Sequence, residues 1–160
     1  MKPYIQTVQT IIQTLSERNH SITFAESCTG GRIAAAFTAV SGSSAVLNGS
    51  VVSYSNAIKT QWLGVKPSTL EQHGAVSQEC VHEMLGGILK MAEADYAIAV
   101  SGIAGPTGGT PDKPVGTVYI GIRTPKSETI HHCLFEGDRE SVQEQSVEFA
   151  VTELSKMLPK

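Results

Sequence analysis

Apolar residues recur every three or four positions in three long stretches of the chain, 4–19, 78–93 and 139–158. This spacing places them on one face of an α-helix, with polar residues on the other faces. In the best-patterned stretch, 78–93, the apolar positions are Val81, Met84, Leu85, Ile88, Leu89 and Ala92. We therefore predict three long helices that each pack one face against a core.

Short runs rich in β-branched and apolar residues predict five strands. The run at 96–101 is apolar almost throughout, which is typical of a central strand buried on both faces. The last two runs are separated only by residues 124–127, which predicts an antiparallel hairpin. The predicted strands lie at 21–26, 48–54, 96–101, 115–123 and 129–135.

Two further helices are predicted, one from about 29 to 39 and one at 55–63. Asn56 is a candidate N-cap of the second, and Gly64 is its stop signal. Residues 65–76 are predicted to form a connecting loop with one helical turn at most.

Helix caps are also predicted at Ser77 and Asp138, which precede two of the long helices. Gly86 and Gly87 lie inside the helix predicted at 78–93. Each costs about 1 kcal/mol relative to alanine, which indicates a neighbour that approaches the helix backbone closely.

Helices and strands alternate along the chain, and 160 residues correspond to about one ordinary domain. We therefore predict one domain over residues 1–160. Its fold class is α/β, a three-layer sandwich with a mixed, mostly parallel sheet flanked by helices.

Charge, apolar runs and cysteine spacing argue against several classes of partner and site. The formal net charge is −3 at pH 7 and the Lys and Arg residues are scattered, which argues against nucleic acid as a partner. No long apolar run or secretory signal pattern occurs, so we expect no membrane partner and a cytoplasmic location. The three cysteines are widely spaced, which fits reduced thiols better than disulfides or a zinc site.

A strand-to-helix turn is predicted around Ser27, between the strand at 21–26 and the helix at 29–39. The first amides of a helix have no internal partner and carry the positive end of the helix dipole. The Ser27 hydroxyl is therefore either a nucleophile beside an oxyanion site or a helix cap. Cys28 is the rival nucleophile, ranked second because its side chain points elsewhere.

Lys59 is the candidate base for this serine, because a serine hydroxyl needs a base at neutral pH. Burial must then lower the pKa of the Lys59 amine from about 10.4 to near 7 or 8. Tyr54, five residues earlier, is a candidate to relay a proton or orient the amine. Alternatively, Lys59 is a solvated helix lysine and Tyr54 a half-buried strand residue.

A Gly- and Pro-rich loop at 102–114 follows the predicted central strand, where ligands bind in open α/β sheets. If the strands before them are parallel neighbours, this loop, Ser27 and Tyr54 share one edge of the sheet. The loop lacks the dinucleotide and ATP-binding glycine patterns, so it is either a phosphate cradle or a wide turn. Arg139 is either a fork for a phosphate or a surface arginine.

The five histidines form no catalytic or metal-binding pattern. His131 and His132 are adjacent on a predicted strand, where successive side chains face opposite ways. We predict surface or structural roles for all of them and no metal site.

Ordered motifs extend over about ninety residues of the chain. They are Ala25-Glu26-Ser27-Cys28-Thr29-Gly30-Gly31, Tyr54-Ser55-Asn56 with Lys59 and Leu63-Gly64-Val65, His73-Gly74-Ala75-Val76-Ser77, Ser101-Gly102-Ile103-Ala104-Gly105-Pro106 with Gly108-Gly109, and Lys113-Pro114-Val115-Gly116-Thr117-Val118. With these motifs the sequence resembles the CinA C-terminal domain family over almost its whole length.

The resemblance implies hydrolysis of the carboxamide of nicotinamide mononucleotide to nicotinate mononucleotide and ammonia, in pyridine-nucleotide recycling. It implies no metal and no cofactor. The family's catalytic serine, lysine and assisting tyrosine match Ser27, Lys59 and Tyr54.

The resemblance also implies the residues that bind the substrate. The oxyanion would be stabilised by Thr29 and the neighbouring amides, and the nucleotide would be held by the loop after the central strand. The residues concerned are Thr29, Gly30, Gly31, Ser101, Gly102 and Gly105. Arg139 matches the first basic position of the family's Gly-Asp-Arg region, and Gln143 stands where many relatives carry a second arginine.

We expect a stand-alone enzyme without the N-terminal domain to which many relatives are fused, and a homo-oligomer, with a dimer favoured. The partner is then a small-molecule substrate, nicotinamide mononucleotide. The alternative is a nucleotide-binding or regulatory module of the same fold that does not turn its ligand over.

Overall fold

The computed structural model describes residues 2–160 and contains a five-stranded sheet with the order β2-β1-β3-β4-β5. The strands are β1 (Ile22–Glu26), β2 (Val51–Val52), β3 (Tyr96–Gly102), β4 (Thr117–Arg123) and β5 (Glu128–Leu134). β1 pairs in parallel with both β2 and β3, while β3–β4 and β4–β5 are antiparallel. Only β4 therefore runs against the other strands, which confirms the mixed sheet and the predicted hairpin.

Within residues 2–160, six α-helices cover the two faces of this sheet. They are α1 (Ile5–Glu17), α2 (Arg32–Thr38), α3 (Asn56–Leu63), α4 (Pro67–His73), α5 (Gln78–Ala92) and α6 (Arg139–Met157). One core cluster joins α1, α2 and α6 to the sheet, and the other joins α3 and α5 to its opposite face. The three-layer α/β sandwich is thus confirmed. In the part described, no helix is long and apolar enough to cross a membrane.

The central strand β3 separates the two cores by residue size. Ile98 and Val100 point to the layer of α1, α2 and α6, whereas Ala97 and Ala99 point to α5. Small side chains on that face let α5 lie close to the sheet. Gly121 of β4 also allows this close packing, because an added Cβ there would lie 2.6 Å from Cγ1 of Val81.

Several predicted helix ends are confirmed. The Ser77 and Asp138 side chains accept hydrogen bonds from the amides of Cys80 and Ser141, at 3.1 and 2.9 Å. Gly64 ends α3 with a left-handed φ of 73°. The N-cap of α3, however, is Ser55 and not Asn56.

Gly86 and Gly87 of α5 were predicted to lie close to a neighbouring backbone, and this is confirmed for Gly87 alone. A Cβ on Gly87 would lie 1.9 Å from the carbonyl oxygen of Leu63, so α3 packs its last turn directly on this glycine. A Cβ on Gly86 would find its nearest neighbour, an Arg123 nitrogen, at 3.8 Å. Only Gly87 is therefore required by packing.

Two elements are much shorter than predicted. The strand at 48–54 is reduced to the two residues Val51–Val52, which lie at the sheet edge and pair only with β1. The helix predicted from residue 29 begins at Arg32, because Gly30 and Gly31 have φ values of 59° and 100°. An α-helix requires negative φ, so these glycines form the turn before it.

The loop prediction for 65–76 is wrong, because this segment contains the seven-residue helix α4. Pro67 suits the first helical turn, since it needs no amide donor there. The helix start is also held from outside by Glu83 of α5. Its carboxylate accepts hydrogen bonds from the Lys66 amide at 2.8 Å and the Thr69 hydroxyl at 2.6 Å. This tertiary cap has no local sequence signal.

Candidate active site

Three loops meet at one edge of the sheet because β2, β1 and β3 are adjacent and parallel. These are the loops predicted from the sequence to share an edge. With the α4–α5 connection and the start of α6 they surround a cavity of about 270 Å³. It is lined by Ser27, Cys28, Tyr54, Asn56, Lys59, Ala75, Val76, Ser101, Gly102, Ile103, Ala104, Gly105, Thr107, Gly108 and Arg139.

Ser27 and Lys59 are in direct contact in this cavity. The Lys59 amine lies 3.1 Å from the Ser27 hydroxyl oxygen and donates a second hydrogen bond, of 3.0 Å, to the backbone carbonyl of Tyr54. The side chains are deeply placed, since Ser27 is 7 % exposed and Lys59 1 % exposed. Ser55 starts α3 with its side-chain cap and so sets the first-turn position from which Lys59 reaches inward.

Burial lowers the pKa of the Lys59 amine below its usual 10.5, because a charged ammonium loses its hydration in this cavity. Within residues 2–160 no carboxylate forms a salt bridge with Lys59 to offset that loss. A neutral amine has a free lone pair, so Lys59 can accept the Ser27 proton.

Burial has the opposite effect on the pKa values of the neighbouring thiols. Burial raises the pKa of Cys28 to about 12 and that of Cys80 to about 11. Both thiols are therefore protonated at neutral pH, and only a thiolate is a strong nucleophile. Of the two adjacent candidates, Ser27 rather than Cys28 has a base within hydrogen-bond distance.

The turn that carries Ser27 is held from behind by the buried carboxylate of Glu26. It accepts hydrogen bonds from the Thr29 hydroxyl at 2.6 Å and from the Ile33 and Ala34 amides at 2.9 and 3.0 Å. These amides are the first donors of α2, so Glu26 takes the place of an external anion at this helix end. An acidic residue just before a predicted helix start is the signal that sequence reasoning left unused.

Three residues expected at the oxyanion site do not line the cavity: Thr29, Gly30 and Gly31. The Thr29 hydroxyl is bonded to Glu26, and the two glycines shape the turn. The Ser27 amide donates to Val100 of β3. The amides of Cys28 and Thr29 have no acceptor among the residues described. Of the two residues, Cys28 lines the cavity and Thr29 is fully buried, so the Cys28 amide is the one available to an oxyanion.

Arg139 joins two walls of the cavity. Its guanidinium donates to the Gly105 carbonyl at 2.6 Å and to the Tyr54 phenol oxygen at 3.0 Å. Tyr54 is 58 % exposed, and its phenol lies at the mouth beside Arg139. The tyrosine contacts Lys59 through its backbone carbonyl and not through its phenol.

The end of β3 and the loop that follows it supply the opposite wall through Ser101, Gly102 and Gly105. A Cβ on Gly102 would lie 2.7 Å from a methyl carbon of Val118 and 2.8 Å from the Thr117 carbonyl oxygen. No side chain fits there, so Gly102 contributes only backbone to this wall.

No histidine among the described residues lines the cavity. His82 bonds to Glu128, while His131 lies 4.0 Å from Glu153. In residues 2–160 there is no group of three His, Cys, Asp or Glu side chains arranged to hold a metal ion.

The sequence model of the CinA C-terminal domain matches residues 5–158. The nicotinamide-nucleotide amidohydrolase PncC of Escherichia coli K12 is 47 % identical over 152 residues, which cover 94 % of this chain and 92 % of that protein. The CinA-like protein of Thermotoga maritima is 45 % identical over 150 residues, 94 % of this chain. The chain spans only 36 % of the length of that relative.

Solved structures of similar proteins have the same fold. The competence damage-inducible protein A (ComA) of Klebsiella pneumoniae superimposes with a TM-score of 0.92 at 40 % identity, covering 96 % of this chain and 95 % of that one. The competence or damage-inducible protein of Enterobacter asburiae gives a TM-score of 0.95 at 34 % identity, with 99 % and 100 % coverage.

Proposed function

This chain belongs to the CinA C-terminal domain family, and we propose on that basis that it is a nicotinamide-nucleotide amidohydrolase. Its reaction would convert nicotinamide mononucleotide and water to nicotinate mononucleotide and ammonia. The observation that carries the proposal is the contact between the buried Lys59 amine and the Ser27 hydroxyl inside a cavity.

In the first step, the Ser27 oxygen attacks the carboxamide carbon while the neutral Lys59 amine takes the hydroxyl proton. The negative charge that develops on the carboxamide oxygen is stabilised by the amide of Cys28. The carbonyl of Tyr54 keeps the Lys59 amine aimed at the serine.

The tetrahedral intermediate then collapses. The carbon–nitrogen bond breaks, and the Lys59 ammonium returns its proton to the departing nitrogen, which leaves as ammonia. Water attacks the resulting ester with Lys59 again as the base, and the acid is released from Ser27. The cycle uses one water molecule and restores both side chains.

The outer part of the cavity would hold the nucleotide. The wall of Ser101, Gly102 and Gly105 lies on one side, and the guanidinium of Arg139 lies at the mouth, where it can attract the phosphate. The exposed phenol of Tyr54 keeps Arg139 in place through its hydrogen bond.

The biological setting is proposed with the reaction. We assign the enzyme to pyridine-nucleotide recycling in the cytoplasm, and we propose that it acts as a homodimer. Trp62 and Met91 are exposed apolar side chains that line one surface depression, which an interface between two copies would cover. Light scattering of the purified protein measures the number of copies.

Incubation with nicotinamide mononucleotide and measurement of ammonia tests the reaction. We expect release by the wild-type protein and none above background from Ser27→Ala. Calorimetric binding of the nucleotide without ammonia would identify a binding module instead of an enzyme. Undiminished release from Ser27→Ala would refute the mechanism.

A further inference from the structure

Helix α6 contacts all three loops of the active site through two side chains that are one turn apart. Arg139 reaches the loops of Tyr54 and Gly105, as described above. Gln143 reaches the third loop, where its side-chain amide donates a 3.0 Å hydrogen bond to the backbone carbonyl of Cys28. The helix thus joins segments that are distant in sequence.

Gln143 lies behind the site and not in it. Its side chain is 7 % exposed and does not line the cavity, so it is not placed to contact a substrate phosphate. Its one contact to the catalytic turn is at the residue directly after Ser27. An interaction with the backbone at this point acts on the geometry of the turn.

The carbonyl of Cys28 and the amide of Thr29 belong to the same peptide group, which is planar and rigid. A hydrogen bond that fixes the carbonyl oxygen therefore fixes the direction of the Thr29 N–H as well. Thr29 is fully buried, so this N–H does not face the cavity. The cavity side of the turn is formed by Cys28, whose own amide is assigned above to the oxyanion.

We propose that Gln143 is a positioning residue that orients the peptide group between Cys28 and Thr29. By fixing this group it holds Cys28 in place, and with it the Ser27 hydroxyl against Lys59 and the Cys28 amide towards the developing oxyanion. The inference rests on the proposed amidohydrolase reaction as far as the oxyanion is concerned.

Gln143→Met tests this role, because methionine has similar length and volume but no donor. Misplacement of catalytic groups by less than about 1 Å costs up to about 100-fold in rate. We expect kcat for nicotinamide mononucleotide to fall about 10- to 100-fold, with KM changed less than about twofold. Gln143→Glu should show the same loss at neutral pH, because a carboxylate cannot donate to the carbonyl.

Gln145→Met is the matched control. Gln145 is also a glutamine of α6 whose amide donates to backbone carbonyls, those of Glu136 and Ser141, away from the site. A general effect of losing a glutamine from α6 would lower the melting temperature of both variants and leave both kcat values near wild type. Wild-type kcat in folded Gln143→Met overturns the proposal.

A measurement without turnover separates this inference from the proposed function. In protein labelled with ¹³C-lysine, the Lys59 Cε resonance, assigned from its loss in Lys59→Met, reports the contact with Ser27. We expect Gln143→Met to shift it in the same direction as Ser27→Ala, and Gln145→Met to leave it in place. If the wild-type protein releases no ammonia, the proposed reaction fails while this shift still decides the positioning role. An unshifted resonance in Gln143→Met overturns that role.

Discussion

The amine of Lys59 lies 3.1 Å from the hydroxyl oxygen of Ser27, and the lysine is 1 % exposed with its pKa lowered by burial. An amine can act as a base only in its neutral form, so the reaction should depend on the deprotonation of Lys59. We expect kcat/KM to rise with pH through the lowered pKa of Lys59 and then to level off. Lys59→Arg should lose at least about 10³-fold at every pH, because a guanidinium stays charged. A kcat/KM that shows no rise with pH anywhere below the usual lysine pKa of 10.5 would contradict the role of Lys59 as base.

The same burial should make Lys59 a cost to stability. Its folded-state pKa lies below the unfolded value of 10.5, so the unfolded chain binds more protons between these two pKa values and stability rises with pH across that window. Lys59→Met removes the buried amine. We expect an inactive variant whose melting temperature near neutral pH is about 3 °C above wild type, with the difference shrinking as the pH approaches 10.5. Thermal unfolding monitored by circular dichroism at several pH values measures this difference. A melting temperature of Lys59→Met below that of wild type near neutrality would contradict the prediction.

Cys28 should not be needed as a nucleophile. Its buried thiol has a pKa raised to about 12 and is protonated at working pH. We expect Cys28→Ala to keep kcat within about threefold of wild type, since the backbone groups of residue 28 remain. Steady-state ammonia release, with Ser27→Ala as the inactive reference, distinguishes a serine nucleophile from a cysteine nucleophile. Loss of activity in Cys28→Ala with full activity in Ser27→Ala would make the enzyme a thiol hydrolase.

Glu26 should be required for the structure of the turn. Glu26→Ala leaves the Thr29 hydroxyl and the Ile33 and Ala34 amides without their acceptor. We expect a loss of about 3 kcal/mol in the free energy of unfolding, measured by urea titration, together with a large loss of kcat. Glu26→Gln keeps the shape and one acceptor oxygen, so it should lose less stability. Equal stability of Glu26→Ala and wild type would show that these bonds contribute nothing net.

The two glycines of α5 should respond to alanine in opposite directions. Gly87→Ala would place a Cβ 1.9 Å from the Leu63 carbonyl oxygen, which forces α3 away from α5. We expect a loss of about 2 kcal/mol or more in unfolding free energy. Gly86→Ala has its nearest neighbour at 3.8 Å and should gain about 0.5–1 kcal/mol from helix propensity. Urea titrations of the two variants side by side give both values, and similar values would contradict the packing argument.

The sequence by itself determined the elements whose signals are local. Periodic apolar residues, the caps at Ser77 and Asp138 and the stop at Gly64 fixed helices in the positions observed. The continuous apolar run of β3 indicated a central strand, and the order of elements indicated an α/β sandwich. These signals are readable because each depends on neighbours within about one or two helical turns.

Only the tertiary structure decided what depends on groups far apart in the chain. It showed that Glu83 caps α4, that Glu26 occupies the start of α2, and that Gln143 holds the carbonyl of Cys28 across 115 residues. The sequence predicted that Ser27, Tyr54 and Lys59 lie at strand-to-helix connections on one edge of the sheet. It did not predict which atom of Tyr54 contacts the Lys59 amine. The burial that lowers the pKa of Lys59 arises from packing around the whole side chain, which no local pattern of residues encodes.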